Sequence, residues 1–288
     1  MPLDARSRVL SAAPSVPAQM GWELATVLAT VKAYPAVARQ SGESVCVAGV
    51  RLDGDASTWI RLFPVGFRDL PPDRQFVKYQ VIRLRLKRGN TDRRPESWKP
   101  DLESLALGEQ IGTDDGTWAT RSELLEPLTA TTTTCDLLTA ARARGQAAPS
   151  LGLIKPADVS DLVIEDNPAF RPGRAAERQG DLFGHEEEPL AAAPFVVRYH
   201  YRCETTGCGG HEQMLVDWES GAFARRNLHL GMEEARRAQR GKFFDRLCAS
   251  DRDTHFFVGN QHQRPQGLLV LGVFWPPRRR GIQQSLDF

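Results

Sequence analysis

Short runs of β-branched and aromatic residues dominate the first hundred positions and predict a strand-rich unit. Gly, Asp, Pro and Ser separate these runs, as in strands joined by turns. The predicted strands are residues 22–34, 44–52, 58–65 and 79–87. The last run places apolar and basic residues on opposite faces, namely Ile82, Leu84 and Leu86 against Arg83, Arg85 and Lys87. It predicts a strand with one face in a core and a basic stripe outside.

The pattern changes after residue 100. Two helical segments, RSELLEPL and CDLLTAARARG, precede SLGLIKPADVSDLVIE, which predicts two strands broken at Pro156. These residues form either a second small β-unit or an elaboration of the first. Residues 194–277 predict strands in PFVVRYHYRC and HEQMLVDWE, then a helical stretch, then two closing strands in HFFVGN and GLLVLGVFWPP.

The segment 169–193 differs from both neighbours because it is rich in Pro, Gly, Ala and charged residues, which predicts a flexible linker. We expect a mobile leader over residues 1–21 and a basic, polar tail over 278–288. The fold class expected is α+β. A β-barrel-like domain spans 22–168, and a small α+β domain with a mixed or antiparallel sheet spans 194–277.

Composition is that of a folded soluble protein, with 41% hydrophobic and 25% charged residues. No run approaches the roughly 18 apolar residues that a membrane helix requires, and the first residues lack the pattern of a secretory signal. Five cysteines at irregular spacing do not predict a disulfide framework. Reduced thiols and a cytoplasmic location fit better.

Charge is distributed unevenly although the net charge is only +1. Residues 51–99 carry twelve Lys/Arg against six Asp/Glu. A basic module on a neutral protein is typical of a polyanion-binding surface, and a solvated basic face is the alternative. The residues predicted to bind nucleic acid are Trp59, Arg61, Arg83, Arg85, Lys87 and Trp98. The aromatic side chains, with Phe63 and Phe67 near them, either stack on bases or fill the barrel.

Two short peptides resemble the motif with which many bacterial DNA-processing proteins bind the replication sliding clamp. That motif needs a Gln amide and an aliphatic-aromatic pair on an accessible extended segment. The internal copy lies in the predicted linker, with Gln179, Asp181, Leu182 and Phe183. The second lies in the final residues, with Gln283, Leu286 and Phe288. The resemblance implies the sliding clamp as a partner. The alternative is that these apolar side chains pack on the adjacent domain.

Cys203, Cys208 and His211 form a Cys-x4-Cys-x2-His spacing with glycines in the turn. Thiolates and an imidazole in a tight loop suit tetrahedral zinc, so we predict these three as metal ligands. The alternative is two reduced cysteines beside a β-turn. The candidates for a fourth ligand are His200, His229, Cys248 and His255, and the sequence selects none of them.

The strand predicted after this loop places His211, Asp217 and Glu219 on one face at period two. Asn260 and His262 end another predicted strand and could join them. Carboxylates clustered with histidine hold a divalent metal such as Mg²⁺ or Mn²⁺, or serve acid–base chemistry. Many solvent-facing strands carry acids without such a role, so a plain solvated face is the alternative. A phosphate-binding Gly-rich loop followed by Lys-Ser/Thr is absent, which argues against an NTPase.

Strings along the chain resemble a poorly characterised group of bacterial proteins: VCVAGV with WIRLFP, then SLGLIKP, QGDLF, the Cys-x4-Cys-x-Gly-His-x5-Asp-Trp-Glu element, and VGN with WPP. The first part of those proteins is similar to dual OB-type domains. The resemblance implies an OB-type barrel in the N-terminal half and supplies no catalytic residues.

The function expected is a nucleic-acid-binding accessory protein, associated with DNA and tethered to the sliding clamp, in repair, mobile-element maintenance or phage defence. One alternative is a metal-dependent nuclease or other nucleic-acid-modifying enzyme centred on His211, Asp217 and Glu219. A second alternative is a non-enzymatic subunit whose basic strand contacts an acidic protein. Whether the protein is an enzyme stays open at the level of sequence.

Overall fold

The computed structural model describes residues 4–33, 44–171 and 192–278. Within these ranges the strands are β1 (Glu23–Lys32), β2 (Val45–Arg51), β3 (Thr58–Val65), β4 (Gln80–Lys87), β5 (Ser97–Gln110), β6 (Leu151–Ile154), β7 (Pro156–Asp166), β8 (Phe195–Cys203), β9 (His211–Met214), β10 (His255–Gln261) and β11 (Arg264–Phe274). The α-helices are α1 (Ala5–Ser11), α2 (Ala119–Leu125), α3 (Thr134–Arg144), α4 (Trp218–Asn227) and α5 (Met232–Arg240).

Strands β1 to β5 form a closed barrel in the order β1-β2-β3-β5-β4. Every neighbouring pair is antiparallel except β3 and β5, which are parallel. Ile82, Leu84 and Leu86 of β4 are fully buried, as their alternation predicts. Gly49 lies where β1 and β2 approach so closely that a Cβ would meet the carbonyl oxygen of Leu28. The predicted N-terminal barrel is confirmed.

Helix α1 packs on this barrel, which differs from the mobile leader expected over residues 1–21. Helix α1 begins after Asp4, whose Oδ1 accepts the amide of Ser7 at 2.7 Å. Its inner face buries Ala5 and Val9, and Arg6 Nε donates to the carbonyl of Leu52 at 2.8 Å. The apolar side chains thus find a partner surface that local composition does not reveal.

The remaining strands form two three-stranded sheets, ordered β11-β10-β6 and β7-β8-β9. Strands β6 and β7 precede residues 172–191, but their partners β10 and β8 follow them. The predicted domain boundary at 168 therefore does not coincide with the sheets, because residues 151–166 pair with the C-terminal part. A mixture of sheets and helices there agrees with the expectation.

The segment predicted as one strand through Glu219 changes structure midway. Strand β9 ends at Met214, and the amides of Leu215 and Val216 bond to Val197 in one sheet and Val270 in the other. Helix α4 then begins after Asp217, whose Oδ1 accepts the amide of Glu219 at 3.0 Å. An aspartate at a helix N-cap satisfies a backbone donor that a strand would pair elsewhere.

Barrel and C-terminal part share a continuous core. Trp59 of β3 meets Phe257 of β10 edge to face, with ring centroids 6.2 Å apart. The guanidinium of Arg94, in the β4–β5 loop, donates to the backbone and side-chain oxygens of Asn260 at 3.0 and 2.9 Å. In the described ranges, no helix is long and apolar enough to cross a membrane.

Candidate metal centre and basic groove

Four potential metal-binding side chains converge beside the β8–β9 hairpin. Cys203 ends β8, Cys208 lies in the following loop, His211 begins β9, and Cys135 lies in the first turn of α3. Their ligand atoms all lie within 4.8 Å of one another. Across the described part of the chain, no other set of three or more His, Cys, Asp or Glu residues is grouped in this way. The Cys₃His group can hold a metal ion.

The distances within the group fit a tetrahedron. Cys203 Sγ lies 3.6 Å from the Sγ atoms of both Cys135 and Cys208. His211 Nε2 lies 3.2, 3.4 and 3.7 Å from the sulfurs of Cys208, Cys203 and Cys135. Tetrahedral zinc with ordinary bond lengths separates its ligands by about 3.8 Å between sulfurs and about 3.6 Å between sulfur and nitrogen. The five separations lie close to those values.

Local hydrogen bonds hold the ligands in place. Thr133 caps α3 in a capping box with Asp136, which fixes the first helical turn that carries Cys135. The hydroxyls of Thr133 and Thr205 are 2.7 Å apart and join this turn to the loop between β8 and β9. Gly207 and Gly210 have φ values of 75° and 98°, which glycine adopts without strain. They let the chain reverse between Cys203 and His211.

The three ligands predicted from spacing are thus brought together, but the fourth is Cys135. The four predicted candidates have other surroundings. His200 lies 3.8 Å from Glu212, and Cys248 lies 3.9 Å from the carbonyl of Phe243. The Nδ1 atoms of His229 and His255 contact the carbonyls of Arg226 and Asp253. Cys135 is distant in sequence from the other three ligands. The signal in the sequence that could have indicated it is a cysteine in the first turn of a helix with a capping box.

The thiols differ in acidity. Burial and the neighbouring Cys203 and Cys208 raise the pKa of Cys135 to about 11. Burial acts the same way on Cys203, but hydrogen bonds with Thr205 and His211 prevail and lower its pKa to about 5. One thiolate therefore forms readily at neutral pH, and a bound cation would favour ionisation of Cys135 as well.

The residues predicted as a catalytic face lie in three different environments. His211 belongs to the Cys₃His group. Asp217 is almost fully buried and its Oδ2 lies 2.7 Å from Lys78 Nζ, while the exposed Glu219 lies 3.7 Å from the same nitrogen. Burial alone would lower the pKa of Lys78, but the two carboxylates raise it above its usual range. The lysine is therefore charged and forms ion pairs with both acids.

Asn260 and His262 belong to the junction with the β4–β5 loop. Asn260 is buried and bonds to Arg94 and to the carbonyl of Pro265. His262 Nδ1 lies 3.4 Å from Asp92, which also pairs with Arg94. These contacts join the loop to the β10–β11 hairpin.

The residues predicted to bind nucleic acid are only partly accessible. Arg61 is buried, 3.1 Å from Cys46 Sγ and 3.0 Å from Ser150 Oγ. Arg83 and Arg85 point outward, but their guanidinium groups donate to the carbonyls of Pro14 and Pro17 at 3.4 Å.

Arg85 also pairs with Asp101 at 2.7 Å, and Trp59 is partly buried in the shared core. The N-terminal segment thus covers much of the basic stripe that the alternation predicts.

Lys87 and Trp98 instead line an open depression of about 390 Å³. We define the basic groove as Phe63, Lys87, Arg88, Trp98 and Lys99, all of which border it. The Arg88 guanidinium stacks 3.8 Å from the Trp98 ring, and Phe63 is 44% exposed. Arg88 and Lys99 were absent from the predicted nucleic-acid-binding residues. Arg88 directly follows Lys87 in the chain, and Lys99 lies opposite Lys87 on the neighbouring strand.

The basic side chains of the groove lack carboxylate partners, although Asp92, which pairs with Arg94, lines the same depression. Lys87 and Lys99 face each other directly across β4 and β5, and like charges in that arrangement destabilise a sheet. Among the described residues, no carboxylate forms an ion pair with Lys87, Arg88 or Lys99. A second depression of about 410 Å³ adjoins the first, since Arg88 and Trp98 line both, and it extends to Arg51 and Trp59. The clamp-motif residues Gln179, Asp181, Leu182, Phe183, Gln283, Leu286 and Phe288 lie outside the described residues.

Fold and site define a barrel protein whose C-terminal part carries a Cys₃His metal-ligand group. Residues 130–287 match the family model described as Domain of unknown function (DUF8757), and the chain belongs to that family. Residues 23–127 match a second model, Domain of unknown function (DUF8758). The first model begins at residue 130 and the second ends at residue 127. Strands β6 and β7 thus fall in the same model as the C-terminal strands with which they pair.

Two solved structures are distantly similar. One, described as "Structure of murine DNA binding protein bound with ds DNA", shares 9% identity, covers 91% of this chain and 98% of that chain, and has a TM-score of 0.31. The other, described as "Molecular basis for abrogation of activation of pro-inflammatory cytokines", shares 8% identity, covers 69% and 81%, and has a TM-score of 0.27. Both likenesses are too distant to define a function. No curated protein matches the chain.

Proposed function

We propose that this chain is a nucleic-acid-binding accessory protein that holds a phosphate backbone in the basic groove. The observation that carries the proposal is the facing pair Lys87 and Lys99, which has Arg88 beside it and lacks ion-pair partners among the described residues. A polyanion would relieve the repulsion between these charges and release its own counterions on binding. Phe63, partly exposed in the same groove, offers a ring on which a base can stack.

The proposal includes an OB type for the barrel. The order β1-β2-β3-β5-β4 and the parallel contact of β3 with β5 support it. OB folds bind oligonucleotides on the face of strands 2 and 3 and at the loops after strands 1 and 4. The basic groove lies beside β3 and the β4–β5 loop, which agrees with that location.

The test is fluorescence anisotropy with labelled 20-nucleotide single-stranded DNA, its duplex, and the same sequence as RNA. We expect binding that weakens linearly with the logarithm of salt concentration. Lys87→Ala/Lys99→Ala should weaken binding and reduce that slope by about 1.4 on single strands. The control Arg202→Ala/Arg237→Ala removes two charges from side chains that are 63% and 65% exposed elsewhere, and it should leave binding unchanged. No binding by the wild type, or equal losses in both variants, would reject the proposal.

Association with DNA through the sliding clamp is a further part of the proposal, and it is supported by the two sequence peptides alone. A tether of this kind raises the local concentration of the barrel at replicating DNA. Purified clamp should retain the wild-type chain and lose it when Leu182→Ala/Phe183→Ala is combined with removal of the last six residues. Equal retention of both forms contradicts the tether.

We also propose that the metal of the Cys₃His group is zinc. Three soft sulfurs and one imidazole nitrogen suit this ion, whereas Mg²⁺ and Mn²⁺ prefer oxygen ligands.

A further inference from the structure

We infer that Cys135, Cys203, Cys208 and His211 form a closed, structural zinc site that fastens the start of α3 to the β8–β9 hairpin. The inference rests on the proposed zinc and adds the role of the ion. Three of the ligands come from one short segment, and Cys135 comes from a separate helix. An ion bound by all four therefore cross-links two parts of the chain.

A structural role follows from the number of ligands. Catalytic zinc keeps one position for water or substrate, whereas structural zinc is surrounded by four protein ligands. With separations of 3.2–3.7 Å between the nitrogen and the sulfurs, and of 3.6 Å from Cys203 to each of the other two sulfurs, the four side chains can each take one corner of a tetrahedron. Cys203 is almost fully buried, so substrate has little access from that side.

Sulfur–sulfur bonding does not explain the arrangement. A disulfide brings its sulfurs to about 2.05 Å, and all five cysteines are free in this structure. Three sulfurs and one imidazole nitrogen instead lie within 4.8 Å of one another without any covalent bond between them. A single divalent ion gives every member of the group the same partner.

The surrounding contacts show what the ion would hold. Thr134 Oγ1 lies 2.7 Å from the hydroxyl of Tyr201, which donates to Gln213 Oε1 at 2.7 Å. These bonds and the Thr133–Thr205 contact already join α3 to β8, β9 and their loop. The zinc would lie at the end of this network and hold the loop of residues 204–210. The hydrogen bonds of the network contact this loop through Thr205.

The test uses the full chain, purified under reducing conditions and dialysed against a mild chelator. Mass spectrometry of metals should find one zinc per wild-type chain. Replacement by Co²⁺ should produce the visible absorption of tetrahedral thiolate-bound cobalt. Cys135→Ser should lower zinc affinity at least tenfold, whereas the matched control Cys248→Ser should keep one zinc per chain, since Cys248 lies outside the group.

Cys135→His keeps a ligand and should restore binding if Cys135→Ser fails to fold. A strong chelator should lower the melting temperature of the wild type by about 10 °C or more. The inference is overturned if the reconstituted wild type holds no metal, if Cys135→Ser binds zinc as tightly as the wild type, or if zinc removal leaves the melting temperature unchanged. A chain that binds one zinc but no nucleic acid would reject the nucleic-acid proposal and leave this site intact.

Discussion

Asp217→Asn tests whether this aspartate is a structural residue, as its contacts indicate, or the catalytic residue that the sequence pattern suggested. Its Oδ2 pairs with Lys78 at 2.7 Å, and the two side chains are only 3% and 9% exposed. Asparagine has nearly the same shape and caps helices equally well. The substitution therefore removes the charge while it keeps the hydrogen bond to the amide of Glu219.

The expected cost is large because the buried lysine loses its closest counter-charge. Breaking a buried ion pair by removing one partner costs about 3–5 kcal/mol. Glu219 cannot replace Asp217, since its carboxylate is 3.7 Å away on a side chain that is 54% exposed. Asparagine has a single side-chain oxygen, and when that oxygen accepts the amide of Glu219, its amino group faces Lys78. We therefore expect the free energy of unfolding to fall by about 3–5 kcal/mol. That is a large part of the 5–15 kcal/mol typical of a folded protein.

The assay is urea unfolding followed by tryptophan fluorescence, with the loss taken from the shift of the midpoint at a common slope. Glu219→Gln is the matched control and should cost less than about 1 kcal/mol, as for an exposed ion pair. Lys78→Met/Asp217→Asn should be less destabilised than Asp217→Asn alone, because the double variant leaves no unpaired buried charge.

Two results would refute this reasoning. The first is a loss for Asp217→Asn no larger than the loss for Glu219→Gln. The second is unchanged stability together with loss of metal-dependent cleavage of nucleic acid, which would make Asp217 catalytic as the period-two pattern suggested.

Two further predictions concern the buried side chains of Arg94 and His255. Arg94→Met should lower the free energy of unfolding by about 2–4 kcal/mol, because it leaves the buried oxygens of Asn260 and the carboxylate of Asp92 without their partner. The control Arg93→Met changes the neighbouring exposed arginine and should have little effect in the same urea assay. Equal unfolding midpoints for the two variants would contradict the role of Arg94. Burial lowers the pKa of His255 below 6.5, so on acidification the unfolded chain binds a proton at a higher pH than the folded chain does. The free energy of unfolding should therefore fall as the pH drops below 6.5, by at most about 1.4 kcal/mol per pH unit. His255→Gln should weaken that dependence between pH 7.5 and 5.5, and an identical pH profile for the variant would count against it.

Local patterns in the sequence determined most of the strands, though not β5, and part of the metal centre. The alternation of Ile82, Leu84 and Leu86 places a core face on β4 whatever the rest of the chain does, because side chains of a strand alternate by geometry. The short spacing of Cys203, Cys208 and His211 likewise predicts three ligands, since a tight turn brings such neighbours together.

The tertiary structure decided the features that depend on distant segments. Cys135 enters the metal centre through the packing of α3 on β8 and β9, and no local spacing encodes that contact. Residues 12–18 cover Arg83 and Arg85, so the accessible basic surface moves to the groove at Lys87 and Lys99. The strand face predicted to carry Asp217 does not form, because β9 ends at Met214 and Leu215 and Val216 then bond to different sheets. Asp217 caps the helix that follows. Side-chain periodicity holds only while an element continues, and where an element ends depends on the partners that its backbone groups find.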